Sequence, residues 1–354
     1  MQKLKIDKKI RLIEMFAGVG SQAMALRNIG ADFEHYLTCE WWVQSMASYK
    51  AIHMPDDNED YSHVYNKEEL INVLSTAGIS SDGKSPMTRE QIARKPEKWL
   101  RETYNNIVAT NNIVDITKAV GSDLGIKDTD KYTYIMTYSF PCQDLSVAGK
   151  MAGMDKGAGT RSGMLWEVER LLDEIEELPQ ILLMENVPQV MQKKNMHNFL
   201  AWQQFLESKG YKNYAQLLNA KDYGVAQNRQ RAFMVSILGD YEYEFPDPIP
   251  LTKTMADYLE QEVPENYYVN SEKAEQLIVD LVESGKMDKQ ISNTVRGGGQ
   301  RLVRSASMGC CTDKIGFIEK GSGEHQSNAV YNPQGLSRCL DATDYKHKQM
   351  ILEG

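Results

Sequence analysis

The chain of 354 residues carries a formal net charge of −9, and 42% of its residues are hydrophobic and 25% are charged. That composition is typical of a globular protein and leaves room for about two domains. No stretch reaches the roughly 20 apolar residues of a membrane span, and the five scattered cysteines do not suit a disulfide framework, so we expect no membrane segment and a cytoplasmic location.

The first predicted unit is a strand, a glycine turn and a helix. The apolar run over 10–16 predicts a strand, and a helical pattern follows over 21–29. Gly18 and Gly20 lie between them, where the lack of side chains lets a ligand approach the backbone. This order is typical of a nucleotide-binding βαβ unit, although the G-x-G spacing misses the dinucleotide fingerprint and a glycine turn alone is often structural.

Two acidic residues follow or lie on predicted strands, at positions suited to a nucleoside. Glu40 comes directly after the strand over 33–39 and 20 residues after Gly20, where a carboxylate can accept hydrogen bonds from both ribose hydroxyls. Asp115 lies on a predicted strand over 113–116 and can accept from an adenine amino group. A solvated strand end is the alternative for Glu40, and an ordinary cap is the alternative for Asp115.

The segment over 55–108 is polar and charged and contains no clear strand. We interpret it as a surface insertion between sheet strands. Its patterns predict helices over 67–74 and 88–106, and its Lys and Arg residues are most simply a solvated face.

The next predicted strand, over 132–138, places a cysteine at the end of the sheet. Pro141 cannot donate to a strand ladder, so the strand ends before Cys142. Loops after the strands of an α/β sheet commonly carry the chemistry, whereas a lone cysteine is more often a small buried side chain. The Gly- and Lys-rich stretch over 147–161 is long enough to form a lid.

A carboxylate ends the buried strand predicted over 181–184, and packing does not explain it. This residue, Glu185, lies near Cys142 if the two strands are neighbours. Arg229 and Arg231 precede a strand over 232–238, and their i, i+2 spacing on an extended chain points both side chains to one face. A basic edge strand that resists aggregation is the alternative for these arginines.

The alternating α/β pattern stops after residue 250. Residues 286–348 carry 10 Lys or Arg and 6 Asp or Glu, a local net charge of +4. Arg296 and Arg301 flank a triple glycine in this region, where they can follow a phosphate backbone or belong to a flexible turn. The adjacent pair Cys310-Cys311 lacks the C-x-x-C spacing of a zinc site, so we expect no metal.

Four short motifs in this order resemble those of the DNA (cytosine-5) methyltransferase family, over residues 10–238. They are Phe16-Ala17-Gly18-Val19-Gly20, Pro141-Cys142-Gln143, Glu185-Asn186-Val187 and Gln227-x-Arg229-x-Arg231. The resemblance implies an α/β fold, with a Rossmann-like S-adenosylmethionine-dependent methyltransferase sheet that has helices on both faces over 1–245. A smaller irregular target-recognition domain then covers 246–354.

The resemblance also implies the reaction and its residues. A methyl group passes from S-adenosyl-L-methionine to C5 of a cytosine in double-stranded DNA, through a covalent adduct on a flipped base. The implied catalytic residues are Cys142, Glu185, Arg229 and Arg231; the cofactor-binding residues are Phe16, Ala17, Gly18, Gly20, Glu40, Trp41, Asp115, Ile116 and Pro141; the DNA-binding residues are Gln143, Ser146, Gln227, Arg296 and Arg301. We expect a monomer of bacterial or phage origin, of restriction-modification type.

Two other functions remain open on the same scaffold. One is a tRNA cytosine-5 methyltransferase, although the region after Pro250 is large enough for a base-reading domain, which favours DNA. The other is a DNA-binding homologue with impaired turnover, because no match to the family's final Gly-Asn-containing segment occurs before Gly354. We therefore expect the chain to lack that segment and to bind cofactor weakly.

Overall fold

The computed structural model describes residues 2–141, 154–157 and 161–253, and beyond them residues 257, 268–269, 276, 280, 283, 302–305, 314–317, 329–331, 337–338 and 349–352. The chain divides into two compact units. The first contains residues 1–217 and 231–245, and the second contains residues 218–230 and 246–354.

A six-stranded sheet forms the framework, in the order β3-β2-β4-β5-β8-β6. Strands β3, β2, β4 and β5 run parallel, and β8 pairs antiparallel with β5. The first nine strands of the chain are β1 (Gln2–Lys3), β2 (Ile10–Met15), β3 (Phe33–Cys39), β4 (Thr133–Tyr138), β5 (Ile181–Asn186), β6 (Tyr211–Asn219), β7 (Gln227–Asn228), β8 (Gln230–Leu238) and β9 (Tyr241–Glu242).

Helices cover both faces of this sheet. They are α1 (Ser21–Asn28), α2 (Val43–His53), α3 (Lys67–Ala77), α4 (Arg89–Ala93), α5 (Glu97–Ala109), α6 (Leu165–Glu174) and α7 (Met196–Ser208). Alternate residues of β2 enter different cores: Leu12 packs with Ala23 of α1, whereas Ile13 belongs to the larger core that includes Leu165 of α6 and Trp202 of α7. This alternation is the period of two that a strand buried on both faces requires.

The second unit contains short strands. A five-stranded sheet has the order β10-β11-β15-β13-β12, and β14 pairs in parallel with β7. The strands are β10 (Tyr268–Val269), β11 (Leu302–Ser305), β12 (Lys314–Phe317), β13 (Ala329–Tyr331), β14 (Ser337–Arg338) and β15 (Gln349–Leu352).

The helices of the segment over 55–108 enclose an apolar core of their own. Leu70 and Leu74 of α3, Ile92 of α4 and Leu100 of α5 are buried together with Met46 of α2. The single helix predicted over 88–106 is wrong, because α4 ends at Ala93 and α5 begins at Glu97. Pro96 lies between them and has no main-chain N–H to continue a helical ladder.

The strand predicted over 113–116 is also wrong. Asn112 forms a single parallel bridge with Thr38 of β3, and the chain then leaves the sheet. Val114 has a φ of 61°, in the left-handed region that an extended strand cannot include. Residues 113–116 therefore form an irregular segment beside the end of β3.

In the described part of the chain, no helix has the length and apolar character needed to cross a membrane.

A buried carboxylate within β2 joins the sheet to two helices. Glu14 Oε1 accepts a hydrogen bond from the main-chain N–H of Ala23 at 3.2 Å, and Oε2 accepts one from the hydroxyl of Tyr49 at 2.6 Å. Burial raises the pKa of Glu14 from 4.5 to about 7, although both hydrogen bonds oppose the shift. Near neutral pH, the folded state therefore holds a proton that the unfolded chain releases.

This raised pKa predicts a pH dependence for Glu14→Gln, which keeps the shape and can make both hydrogen bonds. The folded state binds the proton more tightly, so the contribution of Glu14 to stability is complete below pH 4.5 and falls as the pH rises to about 7. The advantage of wild type over the variant should therefore shrink over this window, by at most about 1.4 kcal/mol per pH unit. Urea unfolding of both proteins between pH 4.5 and 8 measures it, and a constant difference would contradict the assignment.

Candidate active site

The carboxyl ends of four parallel strands lie in register at one edge of the sheet. Met15 of β2 is opposite Cys39 of β3 and Tyr138 of β4, and Tyr138 is opposite Met184 of β5. The segments that follow these positions contain most of the candidate residues of the first unit. In an open α/β sheet this edge is where ligands bind.

The glycine loop after β2 has a backbone that few side chains allow. Phe16, Gly18 and Gly20 have φ values of 58°, 57° and 78°. The loop is held by hydrogen bonds from Ala17 N to Cys39 O and from Gly20 N to Ala17 O. Phe16 is an uncommon left-handed residue that is not glycine, and such strain is concentrated at functional sites.

The two glycines of the loop differ in their surroundings. A Cβ atom built on Gly18 meets no atom within 4 Å, so the loop borders open space there. A Cβ on Gly20 would collide with the imidazole of His53 and lie 2.7 Å from the ring of Tyr49. His53 Nε2 also lies 3.0 Å from Val19 O. Side chains of α2 therefore support one side of the loop, while Gly18 keeps its other side accessible.

Glu40 connects the end of β3 to the glycine loop. Its Oε2 accepts a hydrogen bond from Gly18 N at 2.9 Å, and its Oε1 accepts one from Trp42 N at 2.8 Å. Burial raises the pKa of Glu40, and these main-chain donors oppose that effect. The carboxylate is thus fixed beside Gly18, as its predicted cofactor role requires, and that role stays a prediction.

The two tryptophans after Glu40 have different environments. Trp41 is partly buried against the core formed by α2, α3 and α5. Trp42 donates from Nε1 to Ser81 O at 3.3 Å, and its ring lies against Gly83. The predicted contact of Trp41 with the cofactor stays a prediction.

Asp115 caps its own turn. Its Oδ1 accepts hydrogen bonds from the main-chain N–H and the hydroxyl of Thr117, at 3.1 and 2.7 Å, and its Oδ2 lies 3.6 Å from Lys118 Nζ. These contacts match the alternative of an ordinary cap. Ile116 is buried in the larger core, and the cofactor roles of both residues stay predictions.

Glu185 lies on β5, the neighbour of β4, and forms an ion pair with Arg231 of β8. Arg231 Nε is 3.0 Å from Glu185 Oε1, and the two side chains are only 13% and 18% exposed. Asn186 donates from Nδ2 to Phe140 O at 3.0 Å, so it fixes the chain just before Pro141. The strands that carry the two predicted catalytic motifs are therefore adjacent and joined by a side chain.

Several predicted site residues belong to the second unit or lie outside the described residues. Gln227 pairs with Ser337, and Arg229 lies between β7 and β8, where its carbonyl accepts from Ala220 N at 3.0 Å. Only Arg231 lies on a strand, so strand alternation does not give both arginines a common face. The residues outside the described part are Cys142, Gln143, Ser146, Arg296 and Arg301.

Sequence reasoning missed two groups of supporting residues. Tyr49 and His53 contact the glycine loop from α2, and Asn112 bonds to the main chain of Glu40. No motif includes these residues, and only the fold brings them to the site. Among the residues that the structure describes, no cluster of three or more His, Cys, Asp or Glu side chains is placed to hold a metal ion.

Sequence similarity to known proteins covers most of the chain. The family model described as C-5 cytosine-specific DNA methylase matches residues 10–79 and 76–338. The orphan methyltransferase M.SssI of Spiroplasma monobiae is 40% identical over 271 residues, which are 75% of this chain and 68% of that protein. The type II methyltransferase M2.ScrFI of Lactococcus lactis subsp. cremoris is 36% identical over 267 residues, which are 74% and 71% of the two chains.

A solved structure shares the fold. The S. pombe Dnmt2 methyltransferase matches with a TM-score of 0.51 and 15% sequence identity, over 97% of this chain and 76% of that chain. At this identity the likeness concerns the fold alone. Together with the six-stranded sheet, it confirms the predicted α/β methyltransferase fold.

The different surroundings of Gly18 and Gly20 predict different costs for an alanine. Gly20→Ala adds a collision with His53 and Tyr49 to the strain of a positive φ, so we expect it to lower the free energy of unfolding by about 2–4 kcal/mol. Gly18→Ala carries only the conformational strain, about 1–2 kcal/mol. Urea unfolding of the two variants measures the difference, and equal losses would contradict the packing described for Gly20.

Proposed function

The chain belongs to the C-5 cytosine-specific DNA methylase family, as the motifs predicted, and we propose that it transfers a methyl group from S-adenosylmethionine to C5 of a cytosine in duplex DNA through a covalent adduct of Cys142. The observation that carries this proposal is the Glu185–Arg231 pair on strands next to β4, the strand that leads to Cys142. The order of these groups suits an attack on a cytosine ring.

The residues at the ends of β2 and β3 fit the cofactor. A carboxylate has about four acceptor sites, so the bonds to Gly18 and Trp42 leave Glu40 capacity for ribose hydroxyls. Gly18 borders open space, where a cofactor can lie against the backbone. When bound, S-adenosylmethionine supplies the electrophilic methyl group that C5 of the cytosine accepts.

Cys142 is the proposed nucleophile. Cytosine C5 is a weak nucleophile until the ring loses its aromaticity. Addition of the Cys142 thiolate forms a sulfur–C6 bond and moves the C5–C6 π electrons to C5. After C5 has been methylated, loss of its proton and cleavage of the sulfur–C6 bond restore the ring and release the thiolate.

Glu185 and Arg231 are proposed to hold the pyrimidine during that addition. The Glu185 carboxyl group interacts with N3 and favours its protonation, which draws electrons from C6 and eases thiolate attack. The guanidinium of Arg231 donates to O2, where negative charge develops. Their ion pair, 3.0 Å long and mostly buried, orients both groups before the base arrives. Arg229 is a further candidate for the contact with O2.

The reaction requires the cytosine to leave the duplex. C6 of a stacked base is not accessible to a side chain at a sheet edge, so we propose base flipping. Gln143, Ser146, Gln227, Arg296 and Arg301 are the proposed DNA contacts. A folded tRNA is the competing substrate, and an assay on both nucleic acids separates the two.

Cys142→Ser tests the covalent step. We expect the variant to lose methyl transfer to duplex DNA by more than about a thousandfold, because a serine alkoxide is much harder to form than a thiolate near neutral pH. It should still bind S-adenosylhomocysteine. Duplex DNA with 5-fluorocytosine should form a denaturation-resistant adduct with wild type only, because fluorine at C5 blocks the final proton loss.

The control for this experiment is Cys339→Ser, which removes a thiol outside every motif and should retain activity. Residual turnover of Cys142→Ser within about tenfold of wild type would exclude the nucleophile role. Methyl transfer to tRNA but not to duplex DNA would replace the proposed substrate.

Glu40→Ala tests the cofactor site. Loss of charge-assisted hydrogen bonds to the ribose should weaken S-adenosylmethionine binding by about 1–3 kcal/mol in titration calorimetry. Glu34→Ala is the matched control, because Glu34 lies on the same strand but pairs with Arg11 at 2.6 Å, away from the glycine loop. Unchanged affinity of Glu40→Ala would contradict the ribose role.

A further inference from the structure

One asparagine outside the four motifs contacts the main chain of Glu40 on both sides. Asn112 Oδ1 accepts a hydrogen bond from Glu40 N at 3.0 Å, and Asn112 Nδ2 donates one to Glu40 O at 2.9 Å. The side-chain amide thus occupies the donor and the acceptor of one residue, as a neighbouring strand would.

The position of Asn112 explains why a side chain takes this role. Thr38 N donates to Asn111 O and Ile113 N donates to Thr38 O, so the main chain around Asn112 pairs with the last turn of the β3 ladder. Beyond Cys39 the two chains diverge, and no main-chain partner at this edge reaches Glu40. The amide of Asn112 extends the pairing by one residue, to the residue that needs a fixed position.

Asn112 also holds the segment that carries Asp115. Its Oδ1 accepts a second hydrogen bond, from Val114 N at 2.8 Å, where the backbone has a positive φ. One side chain therefore sets the distance between the carboxylate proposed for the ribose and the turn proposed for the adenine. Both groups must have the correct spacing to bind one nucleoside.

We propose that Asn112 is a positioning residue for cofactor binding, which acts through Glu40 and does not touch the reacting atoms; this inference rests on the proposed function. It predicts a change in cofactor affinity without a change in the chemical step. Asn112→Ala should raise the KM for S-adenosylmethionine about tenfold, the loss expected for one or two hydrogen bonds. The kcat at saturating cofactor should stay within about twofold of wild type.

A pair of ligands separates positioning from general loosening of the fold. S-adenosylhomocysteine has both ribose hydroxyls, and its 2′,3′-dideoxy analogue has neither. If Asn112 acts through Glu40, Asn112→Ala should weaken S-adenosylhomocysteine about tenfold and the analogue less than about threefold. Equal weakening of both ligands, or no weakening of either, would overturn the proposal.

Two further variants complete the design. Asn111→Ala is the matched control: it removes a bond from Nδ2 to Tyr36 O at 2.7 Å in the same segment and adds strain at a φ of 44°, without contacting Glu40. It should lower the melting temperature and leave the ligand ratio unchanged. Asn112→Asp keeps the shape and the acceptor but loses the donor to Glu40 O, so it tests the same contact if Asn112→Ala does not fold.

The outcomes distinguish this proposal from the proposed function. If wild type itself does not bind S-adenosylhomocysteine, the cofactor assignment fails and this inference fails with it. If wild type binds and Asn112→Asp binds both ligands as wild type does, only the role of Asn112 is excluded. A discriminating loss in Asn112→Ala or Asn112→Asp, absent in Asn111→Ala, supports it.

Discussion

The common register of four parallel strands is the constraint on which the site of the first unit depends. Met15, Cys39, Tyr138 and Met184 are opposite one another, so β2, β3, β4 and β5 end in step. Neighbouring strands lie about 4.8 Å apart, and the groups that follow them are therefore close although they are distant in sequence. A slip of one residue would turn each strand's side chains to the opposite face and separate these groups.

Two buried carboxylates stabilise the loop between β2 and α1 in different ways. Glu14 lies within β2 and bonds to Ala23 of α1 and Tyr49 of α2, so it fixes the helices on either side of the loop. Glu40 lies at the strand end and bonds to Gly18 within the loop. Burial raises the pKa of both. Glu14 is enclosed and serves the fold, whereas Glu40 borders the open space beside Gly18 and can serve a ligand.

The sequence predicts the framework better than its details. Strands at β2, β4 and β5 follow from apolar runs that end in polar motifs, and the family they indicate is confirmed. The pattern over 88–106 does not reveal the break at Pro96, because the helical periodicity continues through it. The segment over 113–116 has strand composition but a left-handed Val114, which only the neighbouring structure imposes. Contacts such as Asn112 with Glu40 have no signal in sequence because they join segments 72 residues apart.

Asparagine side chains replace the sheet at both places where its ladder stops. Asn112 bonds to the main chain of Glu40 after β3, and Asn186 donates to Phe140 O after β4. A chain that leaves a sheet has main-chain groups without strand partners, and a side-chain amide supplies a donor and an acceptor in one rigid plane. The two asparagines thus fix the residues just before the sheet gives way to loops. Those residues lead, respectively, to the cofactor groups and to the nucleophile, so the positions of both depend on short polar contacts at the sheet edge.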